Sequence, residues 1–189
     1  MEKKSNRVHM AKLLVKKSNI NGYGIYANAP IKKNTTITIF RYHIYRRSPT
    51  RPLPNYRSEN FWGRWLQVGK HTHMKPNGLL NFLNHSCNPN SGFKIVKGTA
   101  KLVSIRNIHK DEEITYDYAT TITKDEFWRM KCNCASKNCR HVIGPFSYLP
   151  AKIRNRYIKL GIVPKYVQNE YKHNLHRALT IPKAEKLGA

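Results

Sequence analysis

Much of the first two thirds of the chain alternates between hydrophobic and polar residues, a pattern typical of short β-strands. KLLVKK, IYANAP and TTITIFRYHIY, within residues 11–45, follow a period of two and are rich in Thr, Ile and aromatic residues, which predicts β-hairpins. FWGRWLQVG (61–69) is a further strand candidate, and EEITYDYA (112–119) predicts a last strand. FKIVKG (93–98) and AKLVSIRNI (100–108) predict a hairpin through Lys97 and Gly98.

Three other segments lack a clear strand pattern. SPTRPLPNYRSEN (48–60) is rich in Pro and polar residues, which indicates a surface loop or insert. KHTHMKPNG (70–78) predicts a loop that carries two histidines, and GLLNFLNHS (78–86) predicts a short buried segment.

The tail of the chain predicts two amphipathic helices, the second beginning after Pro164. Apolar residues recur at helical spacing along one face of each: Ile153, Tyr157 and Leu160, then Val167, Tyr171, Leu175 and Leu179. We expect these faces to pack onto the domain as a cap, in preference to forming a free arm that binds a partner.

The length of 189 residues fits one domain with appendages, and the 40% hydrophobic content fits a globular protein. No apolar stretch is long enough to span a membrane. The first residues are polar and basic, without the apolar core of a secretory signal, so a reducing intracellular compartment is the expectation.

The charge is strongly and unevenly positive. Thirty-five Lys and Arg stand against ten Asp and Glu, a formal net charge of +25, and between Lys3 and Lys110 the only acid is Glu59. Most other acids gather in two short segments: Asp111, Glu112, Glu113, Asp117, Asp125 and Glu126. Such a field favours a polyanionic neighbour, namely nucleic acid, an acidic protein face or an anionic membrane surface. A generally basic soluble surface explains the charge equally well.

The four cysteines indicate a metal site. Cys132, Cys134 and Cys139 have the spacing C-x-C-x4-C, and a closed tetrahedral zinc site needs a fourth ligand, for which Cys87 is the only thiol left. Two disulfides, an iron–sulfur cluster and His141 as a substitute ligand are the alternatives. Zinc held by four cysteines is favoured, because it explains a thiol in the polar stretch NHSCNPN.

Four motifs in order give the chain a family resemblance. SNINGYGIYANAPIKKNTTI, NHSC, DEEITYDY and the terminal C-x-C-x4-C together resemble the SET-domain protein lysine methyltransferases with a post-SET zinc module, over roughly residues 11–145. The resemblance implies a mainly β fold with short helices, in which small sheets of β-clip type surround a pseudoknot. It also implies S-adenosylmethionine on one face, a peptide groove on the other, and a narrow lysine channel between them.

The resemblance and the composition together predict four regions. Residues 1–10 would be a basic extension, 11–120 the SET domain with an insert at about 41–75, 121–146 the post-SET zinc-binding module, and 147–189 a helical extension.

Cofactor contacts are carried over from the family motifs residue by residue. Asn21 and Tyr23, around the G-x-G turn, would line the methionine end of S-adenosylmethionine, and Asn84 and His85 of NHS would be a cofactor-contacting pair. Asn133 matches a position that contacts the adenine region. The alternative for each is an Asn or His whose side chain satisfies loop backbone groups.

The resemblance also implies the catalytic residues. Tyr118 matches the catalytic tyrosine at the inner end of the channel, and Tyr116 matches the position that tunes how many methyl groups are added. On a regular strand both tyrosines would lie on the same face, where packing alone would also explain them. Phe40, Asn81 and Asp111 depart from common family residues, Tyr, Arg and Gly respectively, which affects substrate recognition more than cofactor binding.

The expected activity is S-adenosylmethionine-dependent protein-lysine N-methylation, mainly mono-methylation, of a histone or nucleosome lysine. A lysine of a non-histone basic, ribosomal or translation protein is one alternative, and a non-catalytic SET-fold binding module is another. The basic surface predicts contact with DNA or nucleosomes, no membrane partner is expected, and the oligomeric state is left open. Nucleus and chromatin are the favoured location, with cytoplasm or a secreted effector as alternatives.

Overall fold

The computed structural model describes residues 11–41, 45–46, 65–75, 78–96, 99–124 and 129–180. The loop predicted at 48–60, the extension at 1–10 and the turn at Lys97 and Gly98 lie outside the described residues. The strands in chain order are β1 (Leu13–Lys17), β2 (Tyr23–Ala27), β3 (Thr36–Arg41), β4 (Tyr45–Arg46), β5 (Leu66–Gly69), β6 (Thr72–Met74), β7 (Asn84–His85), β8 (Ser91–Val96), β9 (Thr99–Ser104), β10 (Glu113–Tyr116), β11 (Met130–Lys131) and β12 (Val142–Ile143). The helices are α1 (Ala151–Lys159) and α2 (Lys165–Thr180).

The largest sheet in the described ranges has seven strands in the order β1-β2-β10-β8-β9-β3, with β7 also paired to β10. β1 and β2 form the first predicted hairpin, and β8 and β9 form the second, in register from Ser91 opposite Ser104 to Val96 opposite Thr99. Both predictions are confirmed. Apolar side chains of this sheet contribute the larger part of the main core.

The late strand β10 lies in the middle of this sheet, antiparallel to β2 and parallel to β7 and β8. The parallel pairing sets Thr115 opposite Asn84 and Tyr116 opposite His85. The NHS and TYDY motifs, which are about thirty residues apart in the chain, therefore lie side by side.

A second sheet consists of β4, β6 and β5 in that order. The prediction that residues 70–78 form a loop is wrong for its middle, because Thr72–Met74 forms β6 and pairs with strands on both sides. His73 and Met74 are each 1% exposed. The pairing satisfies the backbone groups and buries two side chains, although Lys, Pro and Gly around the segment indicate a loop.

The last predicted strand ends earlier than its pattern indicates. β10 stops at Tyr116, and Asp117 caps a 3-10 helix, Tyr118–Thr121, by accepting a hydrogen bond from the Ala119 N–H at 3.1 Å. The prediction that Tyr116 and Tyr118 share one face of a strand is therefore wrong. The 3-10 turn nevertheless brings the two tyrosine rings together.

The C-terminal segments return to the domain. β11 and β12 form a short antiparallel pair. α1 ends at Lys159 and is followed by Leu160 as its C-cap and by Gly161, whose φ of +67° suits a glycine beyond a helix C-terminus. Tyr157 of α1 is 2% exposed and Val167 of α2 is fully buried, so the two helices cap the domain as predicted. Leu175 is 49% exposed, so the prediction of a continuous packed face is wrong there.

The architecture is mainly β with two α-helices, which confirms the predicted fold class. Within the described ranges, no helix has both the length and the apolar character that spanning a bilayer would require.

Candidate active site and metal cluster

The G-x-G motif spans the end of the β1–β2 turn and the start of β2, and each of its glycines has a different role. Gly22 has a φ of +48°, and a Cβ there would meet no heavy atom within 4 Å, so the turn is open on that side. A Cβ on Gly24 would lie 2.2 Å from Oε1 of Glu113. Gly24 therefore makes room for a carboxylate of the same chain.

The Glu113 carboxylate is linked to the β1–β2 turn through the side chain of Asn84. The Asn84 side-chain amide donates to Glu113 Oε1 at 2.8 Å and to the backbone carbonyls of Asn21 at 3.2 Å and Tyr23 at 3.0 Å. Asn84 thus satisfies loop backbone groups, which was the alternative for this residue. Asn21 is exposed, and Tyr23 is 52% exposed with its ring edge-on to Phe82 at 6.2 Å between centroids.

The two predicted catalytic tyrosines lie in an aromatic cluster at the end of β10. The Tyr116 and Tyr118 ring centroids are 4.8 Å apart, and Phe93 packs edge-on against Tyr116 at 4.8 Å. Phe40 is next, 6.3 Å from Phe93. The Tyr118 hydroxyl donates to the Leu83 carbonyl at 2.8 Å.

The hydroxyl groups of Tyr116 and Tyr118 both have raised pKa values. Burial raises the pKa of Tyr116 well above its usual value, and the neighbouring Tyr118 raises it further, while a hydrogen bond with Thr121 opposes the rise. Burial, with a smaller effect of Glu113, also raises the pKa of Tyr118. At neutral pH each hydroxyl is therefore neutral and able to donate a hydrogen bond.

His85 connects the tyrosines to the cysteines. Its Nδ1 accepts from the Tyr118 N–H at 3.2 Å, so its proton is on Nε2, which lies 3.3 Å from Cys87 Sγ and can donate to it. The His85 ring also lies edge-on to the Tyr118 ring at 5.2 Å. Burial lowers the pKa of His85 to about 4, despite the opposing effect of Asp117, so the imidazole is neutral at pH 7.

The early cysteine and the distal ones converge beside His85. Cys87 and Cys132 have their Sγ atoms 3.8 Å apart, and the ligand atoms of His85, Cys87, Cys132 and Cys134 all lie within 4.8 Å of one another. Cys139 packs against the same cluster, and its thiol donates to the Cys132 backbone carbonyl at 4.0 Å. The described geometry therefore brings Cys87 to Cys132 and Cys134, and the four-cysteine ligand set stays a prediction.

Several features of this cluster fit zinc. Tetrahedral bonds of about 2.3 Å separate two sulfurs by about 3.8 Å, which matches the Cys87–Cys132 spacing. Backbone N–H groups point at three of the sulfurs, each at 3.4 Å: Cys87 N to Cys134 Sγ, Arg140 N to Cys87 Sγ, and His141 N to Cys139 Sγ. Such contacts stabilise thiolates, the form that binds metal.

The thiol pKa values vary within the cluster. Burial raises the pKa of Cys87 to about 11 and is also the largest cause of the raised pKa of Cys132. Burial acts the same way on Cys134, but hydrogen bonds from the Cys87 N–H and from Ser136 outweigh it and bring that pKa to about 6. A divalent cation among these sulfurs would favour the thiolate at every position.

Two predicted residues lie at the edge of the cluster. The Asn133 side chain is exposed between two cysteines, and the His141 side chain is exposed with a backbone φ of +61°. Within the described chain, the imidazole that joins the sulfur cluster is that of His85, and His141 contributes its backbone N–H.

Asp117, between the two tyrosines, is fully buried and forms a hub that the sequence interpretation missed. Both Arg140 guanidinium nitrogens lie 2.8 Å from its carboxylate oxygens, and the Tyr157 hydroxyl of α1 donates to Oδ2 at 3.1 Å. The hub ties the tyrosine segment to the cysteine loop and to α1. Arg140 follows the last cysteine directly, but nothing in a linear pattern pairs it with a residue 23 positions earlier.

The carboxylates described by the structure all have partners within the protein. Asp111 pairs with Lys16 at 2.6 Å, and Glu112 pairs with Arg106 at 2.6 Å. Asp111 also has a φ of +61°, which explains why it can replace a glycine in this turn. Glu113 and Asp117 are engaged as above, and Glu170 bonds to the Lys124 N–H and to Asn174.

Comparison with known proteins identifies the class to which this arrangement belongs. Residues 22–119 match the SET domain family, a span that contains the G-x-G turn, the NHS segment and both tyrosines. The chain therefore belongs to the SET-domain family, as its motifs predict.

Three curated relatives are similar over a longer span. A histone-lysine N-methyltransferase, H3 lysine-4 specific, of Emericella nidulans is 31% identical over 133 residues, which is 66% of this chain and 11% of that protein. The Drosophila melanogaster histone-lysine N-methyltransferase trr is 31% identical over 143 residues, 71% of this chain and 6% of that protein. Human histone-lysine N-methyltransferase 2D is 28% identical over 143 residues, 71% of this chain and 2% of that protein. The chain thus spans only a small part of each relative's length.

Proposed function

We propose that this protein is an S-adenosylmethionine-dependent protein-lysine N-methyltransferase that acts on a histone lysine. The observation that carries the proposal is a pair of neutral tyrosines within the SET-domain match, the buried Tyr116 and the partly buried Tyr118, whose ring centroids are 4.8 Å apart. The names of the three curated relatives, all histone-lysine N-methyltransferases, support the substrate class.

The chemistry requires a neutral amine. A lysine starts with a pKa near about 10.4, so presenting it uncharged at pH 7 costs roughly 4–5 kcal/mol, and an apolar channel lowers that cost by disfavouring the charged form. When bound, S-adenosylmethionine supplies the electrophilic methyl group. The raised pKa values of Tyr116 and Tyr118 make them hydrogen-bond donors that orient the amine, so neither is assigned as a general base.

The two tyrosines have different proposed roles. The Tyr118 hydroxyl, now donating to the Leu83 carbonyl, would face the reacting centre at the inner end of the channel. The Tyr116 hydroxyl, hydrogen-bonded with Thr121, would hold space that a methylated amine needs. Mainly mono-methylation follows from that role.

Five residues are proposed for the cofactor: Asn21, Tyr23, Asn84, His85 and Asn133. The exposure of Asn21 and Tyr23 beside the open face of Gly22 supports a role at the surface of the cofactor site. Asn84 would act by holding the carbonyls of that turn in place. The His85 ring lies between Tyr118 and Cys87, and from that position it would contribute to the wall of the cofactor site.

Zinc is the proposed resident metal, with Cys87, Cys132, Cys134 and Cys139 as ligands. His85 would then lie outside the ligand set and donate a hydrogen bond to Cys87, an arrangement that orients a thiolate ligand. The site would tie the end of the chain to the wall beside Tyr118.

The basic charge supports a nucleosomal setting. A free histone tail is itself basic, so DNA or an acidic surface would be needed to bring it to a chain of formal charge +25. We accordingly propose chromatin as the place of action.

Incubating the full chain with isotopically labelled S-adenosylmethionine and a whole proteome, and mapping the modified lysines, tests the proposal without assuming the substrate. Label on histone lysines that disappears with Tyr118→Phe is the expected result. Label confined to ribosomal or other non-histone proteins would move the substrate to the first alternative. Cofactor binding by calorimetry without any transfer would indicate the non-catalytic module.

A further inference from the structure

One exposed face of α1 is rich in basic residues. Lys152, Asn155, Arg156 and Lys159 recur at spacings of three and four, so they share one side of the helix, opposite the buried Tyr157. With Leu160 they line a depression of about 430 Å³. The face thus presents three cations around a concave surface.

The basic face continues onto the main sheet. A Cβ on Gly161, just beyond α1, would lie 3.9 Å from Cε of Lys94, so that lysine reaches the C-terminal end of the helix. Lys94 is exposed and stands directly opposite Lys101, also exposed, in the β8–β9 register. Like charges in this cross-strand position destabilise a sheet. The fold therefore tolerates a local repulsion that an anion would relieve.

No acid neutralises these five cations within the part of the chain that the structure describes. The carboxylates in the described ranges have the partners given above for the candidate active site. None of them forms an ion pair with Lys94, Lys101, Lys152, Arg156 or Lys159. We call these five residues the α1 basic surface.

We propose that the α1 basic surface binds the phosphate backbone of double-stranded DNA without sequence preference. If the proposed function holds, this contact also brings the active site to nucleosomal histones. From Lys152 to Lys159 the helix rises about 10 Å, which matches about three phosphates along one strand. The three cationic side chains of the helix would then have phosphates within reach as the surface follows the duplex.

The composition of the surface favours duplex DNA over other polyanions. It contains no aromatic side chain on which the bases of a single strand could stack. Leu160 is its one apolar lining residue, whereas protein partners generally dock on several buried aromatic or aliphatic anchors. Asn155 is the one uncharged polar side chain in the depression, so little base-edge recognition is expected.

Fluorescence anisotropy of a labelled DNA duplex with the full-length chain tests the proposal. The triple variant Lys152→Gln, Arg156→Gln and Lys159→Gln should bind about 10-fold to 100-fold more weakly near physiological salt, and its slope of log affinity against log salt should fall in magnitude by about 3. Loss of three phosphate contacts is the physical reason. Because the three side chains are exposed, the thermal midpoint should stay unchanged.

A charge-matched control distinguishes DNA binding at the α1 basic surface from attraction by the overall positive charge of the protein. The control is the triple variant Lys12→Gln, Lys17→Gln and Lys32→Gln. It also removes three positive charges, but from the β1 edge and the turn after β2, and it should bind DNA nearly as the wild type does. Equal losses in the two triple variants would overturn the proposal. So would polyglutamate or single-stranded DNA that competes as well as unlabelled duplex.

The binding test is independent of methyl transfer, so it stands even if no histone is modified. Where transfer is observed, the α1 triple variant should methylate free histone H3 like the wild type and lose rate on nucleosomes. An equal loss on both substrates would contradict the proposed link.

Discussion

Arg140 provides a quantitative test of the hub that joins the tyrosine segment to the cysteine loop. Its guanidinium nitrogens lie 2.8 Å from both oxygens of Asp117, a fully buried carboxylate, and its own side chain is 15% exposed. Arg140→Gln removes the positive charge and retains a polar side chain of moderate length. Asp117 would keep its hydrogen bonds from Tyr157 and from the Ala119 N–H, but it would lose its counter-charge.

Breaking one partner of a buried ion pair costs about 3–5 kcal/mol, because a charge remains buried and unpaired. The two remaining hydrogen bonds compensate in part, so we expect a loss at the lower end, about 3 kcal/mol. For a chain of this size that loss lowers Tm by about 6–12 °C.

Thermal unfolding followed by circular dichroism, on proteins with equal zinc content, measures the effect. Cys139, the neighbouring residue, is a proposed zinc ligand, so equal zinc content would show that the loss does not come through it. Arg129→Gln is the matched control, because its guanidinium lies over the exposed Tyr148 ring at 4.9 Å and should contribute about 0.5–1 kcal/mol at most.

The paired variant Asp117→Asn with Arg140→Gln removes both charges and should be more stable than Arg140→Gln alone. A drop in Tm for Arg140→Gln no larger than that of Arg129→Gln would refute the reasoning. A paired variant less stable than the single one would refute it as well.

Three further outcomes can be checked. Burial acts to raise the pKa of Glu112, but hydrogen bonds from Arg106, Asn90 and the His109 N–H hold it below the usual 4.5. This carboxylate therefore stabilises the fold above that pH, and the Tm difference between wild type and Glu112→Gln should shrink as pH falls below about 4.5; a constant difference would contradict this. Gly24→Ala, by forcing the Glu113 carboxylate away, should cost about 1–3 kcal/mol in chemical denaturation, and an unchanged midpoint would count against it. Tyr116→Phe should shift the products from mono- toward di- and trimethyl-lysine in mass spectrometry, whereas unchanged multiplicity would reject its assigned role.

Local patterns predicted the elements that form from nearby residues. The β8–β9 hairpin and both α-helices follow from periodicities within short windows, and Pro164 and Gly161 mark the boundaries of the helices. β6 was missed because its residues form a strand only between two partner strands, and Lys, Pro and Gly around it indicate a loop.

The part of the candidate site that could be predicted from the sequence is the part formed by cysteines, because the chain has so few of them. Four cysteines, one of them remote, point to a single cluster, and the described geometry brings Cys87 to Cys132 and Cys134, with Cys139 packed beside them. The orientation of His85 toward a sulfur and the pairing of Asp117 with Arg140 depend on contacts between distant segments, which no local pattern encodes. β10 also ends at Tyr116, three residues before the end of the predicted strand, so Tyr118 reaches its neighbours from a 3-10 turn.

Mass spectrometry of histone H3, after incubation of recombinant nucleosomes with the full-length protein and S-adenosylmethionine, is the most direct test of the proposed function. The expected result is a lysine that carries one methyl group with wild-type protein and none with Tyr118→Phe of equal zinc content and fold. Unmodified histones with a folded, zinc-loaded wild-type protein that binds the cofactor would contradict the proposal.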